Sequence, residues 1–206
     1  MRKLFCVLSI FVSAFACAQR GDYFFTINIP VHIAKEVGLA GSIIKENPIF
    51  DIFEVQRLDR IHLTLGYFPN AELDDLKKLG QEVASLVEPF EFNFSVSNHT
   101  LELFDEWGVL YIVLRIDPQS EQVARILEKI RSISNDMGLN CHQASHQHIT
   151  VLIPIRPQNR EKALLIEEVG LPVFDKIVSG QYSFKVNSFV LSGKKYCNFG
   201  TFNLTG

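Results

Sequence analysis

The chain has 206 residues, of which 47% are hydrophobic, and its 20 basic and 23 acidic side chains give a net charge of −3. This length suits a single domain of ordinary size, and no stretch of the chain is low in complexity. The small negative charge excludes the basic surface that a binder of long nucleic acids needs.

The first 18 residues have the pattern of a signal peptide. Met1-Arg2-Lys3 gives a positive start, Leu4 to Ala16 is an apolar run, and the small residues up to Ala18 fit a cleavage site. The run is too short to cross a bilayer, so no transmembrane segment is expected. We therefore expect residues 1–18 to be a signal peptide, residues 19–206 to form one domain, and the mature chain to be a secreted or periplasmic monomer.

The four cysteines bear on the type of signal sequence and on a possible disulfide. Cys6 and Cys17 lie within the signal, and an alternative interpretation is a lipoprotein signal in which Cys17 carries a lipid anchor. Cys141 and Cys197 remain in the mature chain. In an oxidising compartment these two thiols could form a disulfide.

After the signal, the hydrophobic pattern alternates between strands and helices. Strands are predicted at 23–29, 61–68, 91–97, 100–104, 109–116, 148–155, 182–191 and 195–204. Helices are predicted from Pro30 to about Glu46, at 71–87 with Asn70 as the N-cap, at 119–135, and at 159–169. This order favours an α+β domain.

One short motif occurs twice, as Ile61-His62-Leu63-Thr64-Leu65 and as His148-Ile149-Thr150-Val151-Leu152. Because side chains alternate across a strand, the histidine and threonine of each copy share one face, and the aliphatic residues point into a core. Each histidine alone could be an ordinary hydrogen-bonded strand residue, and each threonine could reflect only β propensity. The repetition favours a shared site.

The two halves of the chain echo each other around these motifs. Each half contains a helix, a strand pair and a motif strand, and the motif histidines are 148 − 62 = 86 residues apart. We expect two pseudo-symmetric lobes, with antiparallel sheets flanking a central cleft and helices outside. The paired motifs would meet in that cleft.

Two imidazoles and two hydroxyls suit acid/base chemistry at phosphorus. Opening a cyclic phosphodiester requires one group to take a proton from the attacking water and another to protonate the departing sugar oxygen. Histidine titrates near neutrality and can do either, and threonine hydroxyls can donate to phosphate oxygens. Which histidine is the acid and which the base can differ with substrate and direction; we favour His62 as the acid and His148 as the base, with Thr64 and Thr150 binding phosphate.

The chain resembles the two-histidine (2H) phosphoesterase superfamily, and within it the bacterial RNA 2',3'-cyclic phosphodiesterases, also called 2'-5' RNA ligases. The resemblance rests on the opening strand YFFTINIP, the motif strands RIHLTLGYF and HITVLIP, the helix before the second motif, and a closing strand pair that includes Tyr196. It implies a metal-independent phosphodiesterase without cofactors, acting on 2',3'-cyclic or 2'-5' linked nucleotides or short RNA. The alternative is a secreted nucleotide- or RNA-binding module of the same fold without turnover.

Further candidates for substrate binding lie near the motifs. Relatives often carry an arginine shortly after the second motif, where this chain has Ile153, and the nearest arginine is Arg156. Tyr67 and Phe68 follow the first motif and could stack on a base, although buried aromatics at a strand end are common. Arginines 57 and 60 precede the first motif, where they could approach a phosphate or simply be solvated.

A metal site is the remaining alternative. His142, His146 and His148 are close in sequence, and spaced histidines are common zinc ligands. A zinc site there leaves the first motif unexplained, so no metal is expected. His32 and His99 have no partner pattern and are expected at the surface.

Overall fold

The computed structural model describes residues 20–96, 101–106, 109–116, 120–155, 180–193 and 196–206. The predicted signal peptide, the predicted helix at 159–169, Arg156 and His99 lie outside these residues. Within them, no helix is both long enough and apolar enough to cross a membrane.

The described part of the chain contains three helices and ten strands. In chain order they are β1 Arg20–Asn28, α1 Val31–Lys45, β2 Phe53–Val55, β3 His62–Glu72, α2 Leu73–Ser85, β4 Phe90–Val96, β5 Leu101–Glu106, β6 Val109–Arg115, α3 Glu121–Asp136, β7 His148–Pro154, β8 Gly180–Val186, β9 Ser188–Gly193 and β10 Asn198–Asn203. Short 3-10 turns occupy Pro48–Phe50 and Leu58–Arg60.

Most strands form one antiparallel sheet in the order β10-β9-β1-β3-β7-β6-β5. Strand β2 pairs with the second half of β7, and β4 pairs with β8 in a separate two-stranded sheet. The predicted α+β class of antiparallel sheets with helices is confirmed. The two lobes share a continuous sheet, because the motif strands β3 and β7 are direct neighbours at its centre.

The helices cover the core face of this sheet. Helix α1 packs on β2 and β7, and α2 and α3 pack on each other and on β3. Helix α3 begins at Ser120, whose hydroxyl accepts a hydrogen bond from the Val123 amide, and its apolar stripe of Val123, Ile126 and Ile130 is fully buried. Burying each such side chain contributes about 1.5–3 kcal/mol. The core therefore lies on the side of the sheet that the motif leucines face.

Two sequence-based boundaries are wrong. Asn70 is not a helix cap: it lies within β3 with φ of 51°, and its amide donates to the Asp22 carboxylate at 3.1 Å. The pairing of β1 with β3 continues as far as Arg20 and Glu72, so strand pairing prevails over a side-chain cap. The strand predicted at 182–191 is divided into β8 and β9, because its two parts pair in different sheets.

Candidate active site

The two motifs meet at one residue pair in the centre of the sheet. Leu63 of β3 pairs with Ile149 of β7, and both side chains are 0% exposed in the core. In an antiparallel pair, the residue after one member lies beside the residue before the other. His62 therefore lies beside Thr150, and Thr64 lies beside His148, all on the face opposite the core. The histidines occupy opposite corners of this four-residue arrangement.

Each motif strand also carries the same irregularity one residue after its threonine. Strand β1 pairs Phe25 with Gly66 and Thr26 with Thr64, which leaves Leu65 without a partner on β1. In the other half, β6 pairs Ile112 with Leu152 and Val113 with Thr150, and Val151 is skipped. Such bulges shift which residues face each side of a sheet.

The bulges decide which later residues reach the site. Tyr67 and Ile153, each three residues after a motif threonine, both line the cleft. Phe68, by contrast, is 0% exposed and packs against Phe25 in the core, with ring centroids 5.4 Å apart. The prediction of a substrate contact is therefore wrong for Phe68, whereas Tyr67 is placed at the cleft. The bulge is the physical reason, because it turns Phe68 to the core face.

The same backbone contact orients both histidines. The Nδ1 atom of His62 lies 2.7 Å from the carbonyl oxygen of Arg60, and Nδ1 of His148 lies 3.2 Å from that of His146. Because a carbonyl oxygen only accepts hydrogen bonds, Nδ1 carries the proton in both rings. In the neutral ring, Nε2 then holds the lone pair and can accept a proton, and in the charged ring it can donate one.

Burial lowers the proton affinity of both histidines. It lowers the pKa of His62, against a smaller upward effect of the hydrogen bond to Arg60. Burial also lowers the pKa of His148 to about 4, with further lowering by its neighbours His146 and His62, and only the backbone hydrogen bond opposes this. His148, which is 8% exposed, is therefore neutral at pH 7 and suited to accept a proton.

The four motif residues line a solvent-open cleft of about 140 Å³. Sequence reasoning missed several other lining residues, namely Phe24, Gln56, Tyr111 and Ala144, and considered the exposed His142 only as a zinc ligand. Phe24 pairs with Tyr67 across β1 and β3, which brings its ring to the site face. The alternation of core and site residues along β1 is a signal that could have identified it.

The surroundings of the two histidines differ. The ring of Phe24 stacks on His62 with centroids 6.0 Å apart and planes 15° apart, and Tyr196 lies 5.5 Å from His62. On the other side, the ring of His146 lies 5.6 Å from His148. The site therefore has an aromatic wall beside His62 and a second imidazole beside His148.

The structure also places the other arginine, histidine and cysteine residues that the sequence analysis considered. Arg57 forms an ion pair with Asp59, and its neighbour Arg60 lies over the ring of Tyr196. His32 is exposed near the start of α1, as expected. Among the described residues, no three His, Cys, Asp or Glu side chains lie close enough to hold a metal. Cys141 and Cys197 are free thiols in the structure.

Comparison with known proteins gives structural neighbours. Neither the known family models nor the curated protein sequences include a match to the chain. TT0787 of Thermus thermophilus is 19% identical, with a TM-score of 0.65 over 91% of this chain and 99% of that protein. Escherichia coli LigT complexed with 3'-AMP is 18% identical, with a TM-score of 0.62 over 91% of this chain and all of LigT. The chain has the 2H phosphoesterase fold.

A more distant neighbour shares that fold. Usb1 of Kluyveromyces marxianus, solved with uridine monophosphate, is 13% identical, with a TM-score of 0.53 over 89% of this chain and 97% of Usb1. TT0787, LigT and Usb1 are members of the 2H phosphoesterase superfamily. The central cleft and the paired motif strands of this chain are thus set within a 2H fold.

Proposed function

We propose that the chain is a metal-independent phosphodiesterase that hydrolyses 2',3'-cyclic or 2'-5' linked phosphodiesters of nucleotides or short RNA. The observation that carries this proposal is the diagonal placement of His62 and His148, each beside the threonine of the other motif. In-line displacement at phosphorus needs a base on the side of the attacking water and an acid on the side of the leaving oxygen. Two histidines at opposite corners meet that requirement.

In the proposed reaction, the neutral His148 accepts a proton at Nε2 from water as its oxygen bonds to phosphorus. The bond from phosphorus to the sugar oxygen breaks, and a protonated His62 donates its Nε2 proton to that oxygen. The hydroxyls of Thr64 and Thr150 donate to the non-bridging oxygens, whose charge grows in the transition state. Proton exchange with solvent then restores both rings, so no step requires a metal ion.

Proton supply to His62 is linked to substrate binding. The lowered pKa of His62 favours the neutral ring in the free protein. An anionic phosphate between the two imidazoles favours a proton on one of them, because an adjacent negative charge stabilises the charged form. We assign this proton to His62, because the neighbouring His146 adds to the lowering of the pKa of His148, whereas burial alone lowers the pKa of His62.

The neighbours support a nucleotide substrate. LigT has been solved with 3'-AMP and Usb1 with uridine monophosphate, and both share the fold of this chain. The aromatic wall beside His62 provides apolar surface of the kind on which a nucleoside can pack. Within this proposal the mature chain acts outside the cytoplasm, which the pattern of residues 1–18 supports, and small nucleotides are its expected substrates there.

The test is turnover in the presence of EDTA. The mature protein is incubated with 2',3'-cyclic nucleotides, 2'-5' oligoadenylate and linear 3'-5' diesters, and products are separated by chromatography. We expect hydrolysis of at least one of the first two classes, which a His62→Ala, His148→Ala double variant abolishes. His32→Ala, at an exposed position on α1, is the matched control and retains full activity.

Two results would overturn the proposal. Nucleotide binding at the cleft without turnover of any substrate would identify the chain as a binding module. Activity that EDTA removes and zinc restores would instead require a metal mechanism. Calorimetric binding of 3'-AMP, run beside the activity panel, separates the first case from a protein that does not bind nucleotides.

A further inference from the structure

The aromatic wall beside His62 holds an arginine at the rim of the cleft. The guanidinium carbon of Arg60 lies 4.8 Å from the centre of the Tyr196 ring, and Tyr196 lines the cleft. This geometry is a cation–π contact, which restrains a side chain that would otherwise be mobile. Tyr196 is 37% exposed and adopts a left-handed backbone conformation with φ of 59°, at the start of the segment leading into β10.

Arg60 is also tied to the proposed acid. Its carbonyl oxygen accepts the hydrogen bond from Nδ1 of His62, and the Tyr196 ring that carries its guanidinium packs 5.5 Å from the His62 ring. The position of the guanidinium relative to His62 is therefore set twice, through the backbone and through Tyr196.

Arg60 differs in its ion pairing from Arg57, which lies in the same loop. Arg57 donates two hydrogen bonds to the carboxylate of Asp59, at 3.0 and 2.8 Å, so its charge is neutralised locally. Arg60 acts on the Asp59 carboxylate only at longer range and forms no salt bridge within the part of the chain that the structure describes. Its planar fork of donors is held on an aromatic ring and matches the geometry of a phosphate group.

The described lining of the cleft offers an anion little fixed positive charge. It contains histidines, threonines, aromatic residues, Gln56, Ala144 and Ile153, but no lysine or arginine. Burial lowers the pKa of both motif histidines, so their rings are neutral at rest. A polyanionic substrate therefore gains from a cation at the rim, and Arg60 is positioned there.

We propose that Arg60 and Tyr196 form a second phosphate subsite, which binds a non-scissile phosphate of the substrate. This inference rests on the proposed function and narrows it to nucleotides that carry two phosphates. Such a group is either a terminal 5'-phosphate on a cyclic nucleotide or the internucleotide diester of a short RNA. Both offer the same anionic oxygens to the guanidinium.

The test compares three substrates that share one scissile group. They are adenosine 2',3'-cyclic phosphate with a 5'-hydroxyl, the same nucleotide with a 5'-phosphate, and the dinucleotide ApA ending in a 2',3'-cyclic phosphate. We expect kcat/KM for at least one substrate with a second phosphate to exceed that of the 5'-hydroxyl form by about tenfold, as for a hydrogen bond to a charged group. The substrate with the larger kcat/KM shows whether the subsite prefers a terminal 5'-phosphate or an internucleotide diester.

The variants assign that preference to Arg60. Arg60→Gln brings the ratio close to one, and Arg60→Lys, which keeps the charge but loses the fork, retains part of it. Arg57→Gln, in the same loop but paired with Asp59, is the matched control and retains the full ratio. Arg115 pairs with His148 across β6 and β7 and so lies on the other side of the cleft. A ratio that survives Arg60→Gln, or one lost in Arg115→Gln, overturns the proposal.

A binding experiment separates this inference from the proposed function. Calorimetry compares adenosine 3',5'-bisphosphate with 3'-AMP, and neither measurement requires turnover. We expect tighter binding of the bisphosphate by about tenfold, lost in Arg60→Gln and weakened by salt. Equal affinities would remove the subsite even if the protein is an active phosphodiesterase. A preference without any turnover would keep the subsite and remove the proposed reaction.

Discussion

The His62 and His148 sides of the cleft share a backbone and differ in their surroundings. On both sides a histidine donates from Nδ1 to the carbonyl oxygen two residues earlier, and a bulge follows the threonine. On one side the neighbours are Phe24 and Tyr196, and on the other the neighbour is His146. The comparison shows that the repeated backbone sets the position of each imidazole and that burial lowers the pKa of both, whereas a neighbouring imidazole, His146, lowers the pKa further only on the His148 side.

The largest expected effect comes from replacing the motif histidine on each side of the cleft. His62→Gln and His148→Gln each remove one proton-transfer group, and we expect each to lower kcat by about 10²- to 10⁴-fold. Because the two rings act as a unit, the double variant loses less than the product of the single losses. Steady-state kinetics on a 2',3'-cyclic nucleotide measures this, with His32→Gln as the control. Full activity in either single variant would contradict the assignment of an acid/base pair.

The burial of His148 predicts an effect on stability. Its pKa falls from 6.5 in the unfolded chain to about 4 in the fold, so the folded state binds fewer protons between these values. Stability from this group is complete above pH 6.5 and is lost as the pH falls towards 4, by roughly 3 kcal/mol in all.

Urea unfolding at pH 7.5 and pH 4.5 measures this contribution. We expect wild type to lose more unfolding free energy between the two pH values than His148→Gln, whose side chain does not titrate. Carboxylates away from the site contribute equally to both proteins and cancel in the comparison, so the difference reports His148 together with its coupling to His62. The same pH dependence in both would show that His148 titrates normally in the fold.

Replacing each motif threonine tests whether the two sides of the cleft contribute equally to phosphate binding. Thr64→Val and Thr150→Val keep the side-chain shape and remove one hydroxyl donor each. We expect each to lower kcat by about 10- to 100-fold, the range for a hydrogen bond to a charged group. Thr201→Val, on β10 and away from the cleft, is the control. Losses that differ strongly between the two motif variants would show that only one threonine contacts the phosphate.

The sequence predicted the parts of the site that depend on local periodicity. Alternation along 61–68 and 148–155 placed each histidine and threonine on one face, because that pattern needs only two-residue spacing. It did not predict the bulges at Leu65 and Val151, because a bulge depends on pairing with a distant strand. The sequence pattern therefore does not distinguish Tyr67 from Phe68, although only Tyr67 reaches the cleft.

The aromatic wall beside His62 could not be predicted from the sequence, because it too depends on long-range strand pairing. Tyr196 reaches His62 because β9 pairs with β1, and β1 pairs with β3, so two long-range pairings intervene between them. Neither register can be read from a single strand pattern. The α+β class was predictable, since it follows from the order of elements, but the joining of both lobes in one sheet was not.

The smallest expected effect concerns the imidazole that distinguishes the two sides. His146 lies beside His148 and contributes to lowering its pKa, so His146→Asn should raise the pKa of His148. The wild-type profile of kcat/KM, which reports the free enzyme, is expected to have its acid limb near pH 4 and its optimum below 6.5, because the pKa values of both motif histidines are lowered. In His146→Asn the acid limb moves to higher pH, while the basic limb, which reports His62, stays in place.

NMR titration of the ring protons checks the same shift without turnover, with His32→Asn as the control. If both limbs move together, the two rings titrate as one coupled pair, and the difference between the two sides lies in their positions rather than in their separate proton affinities.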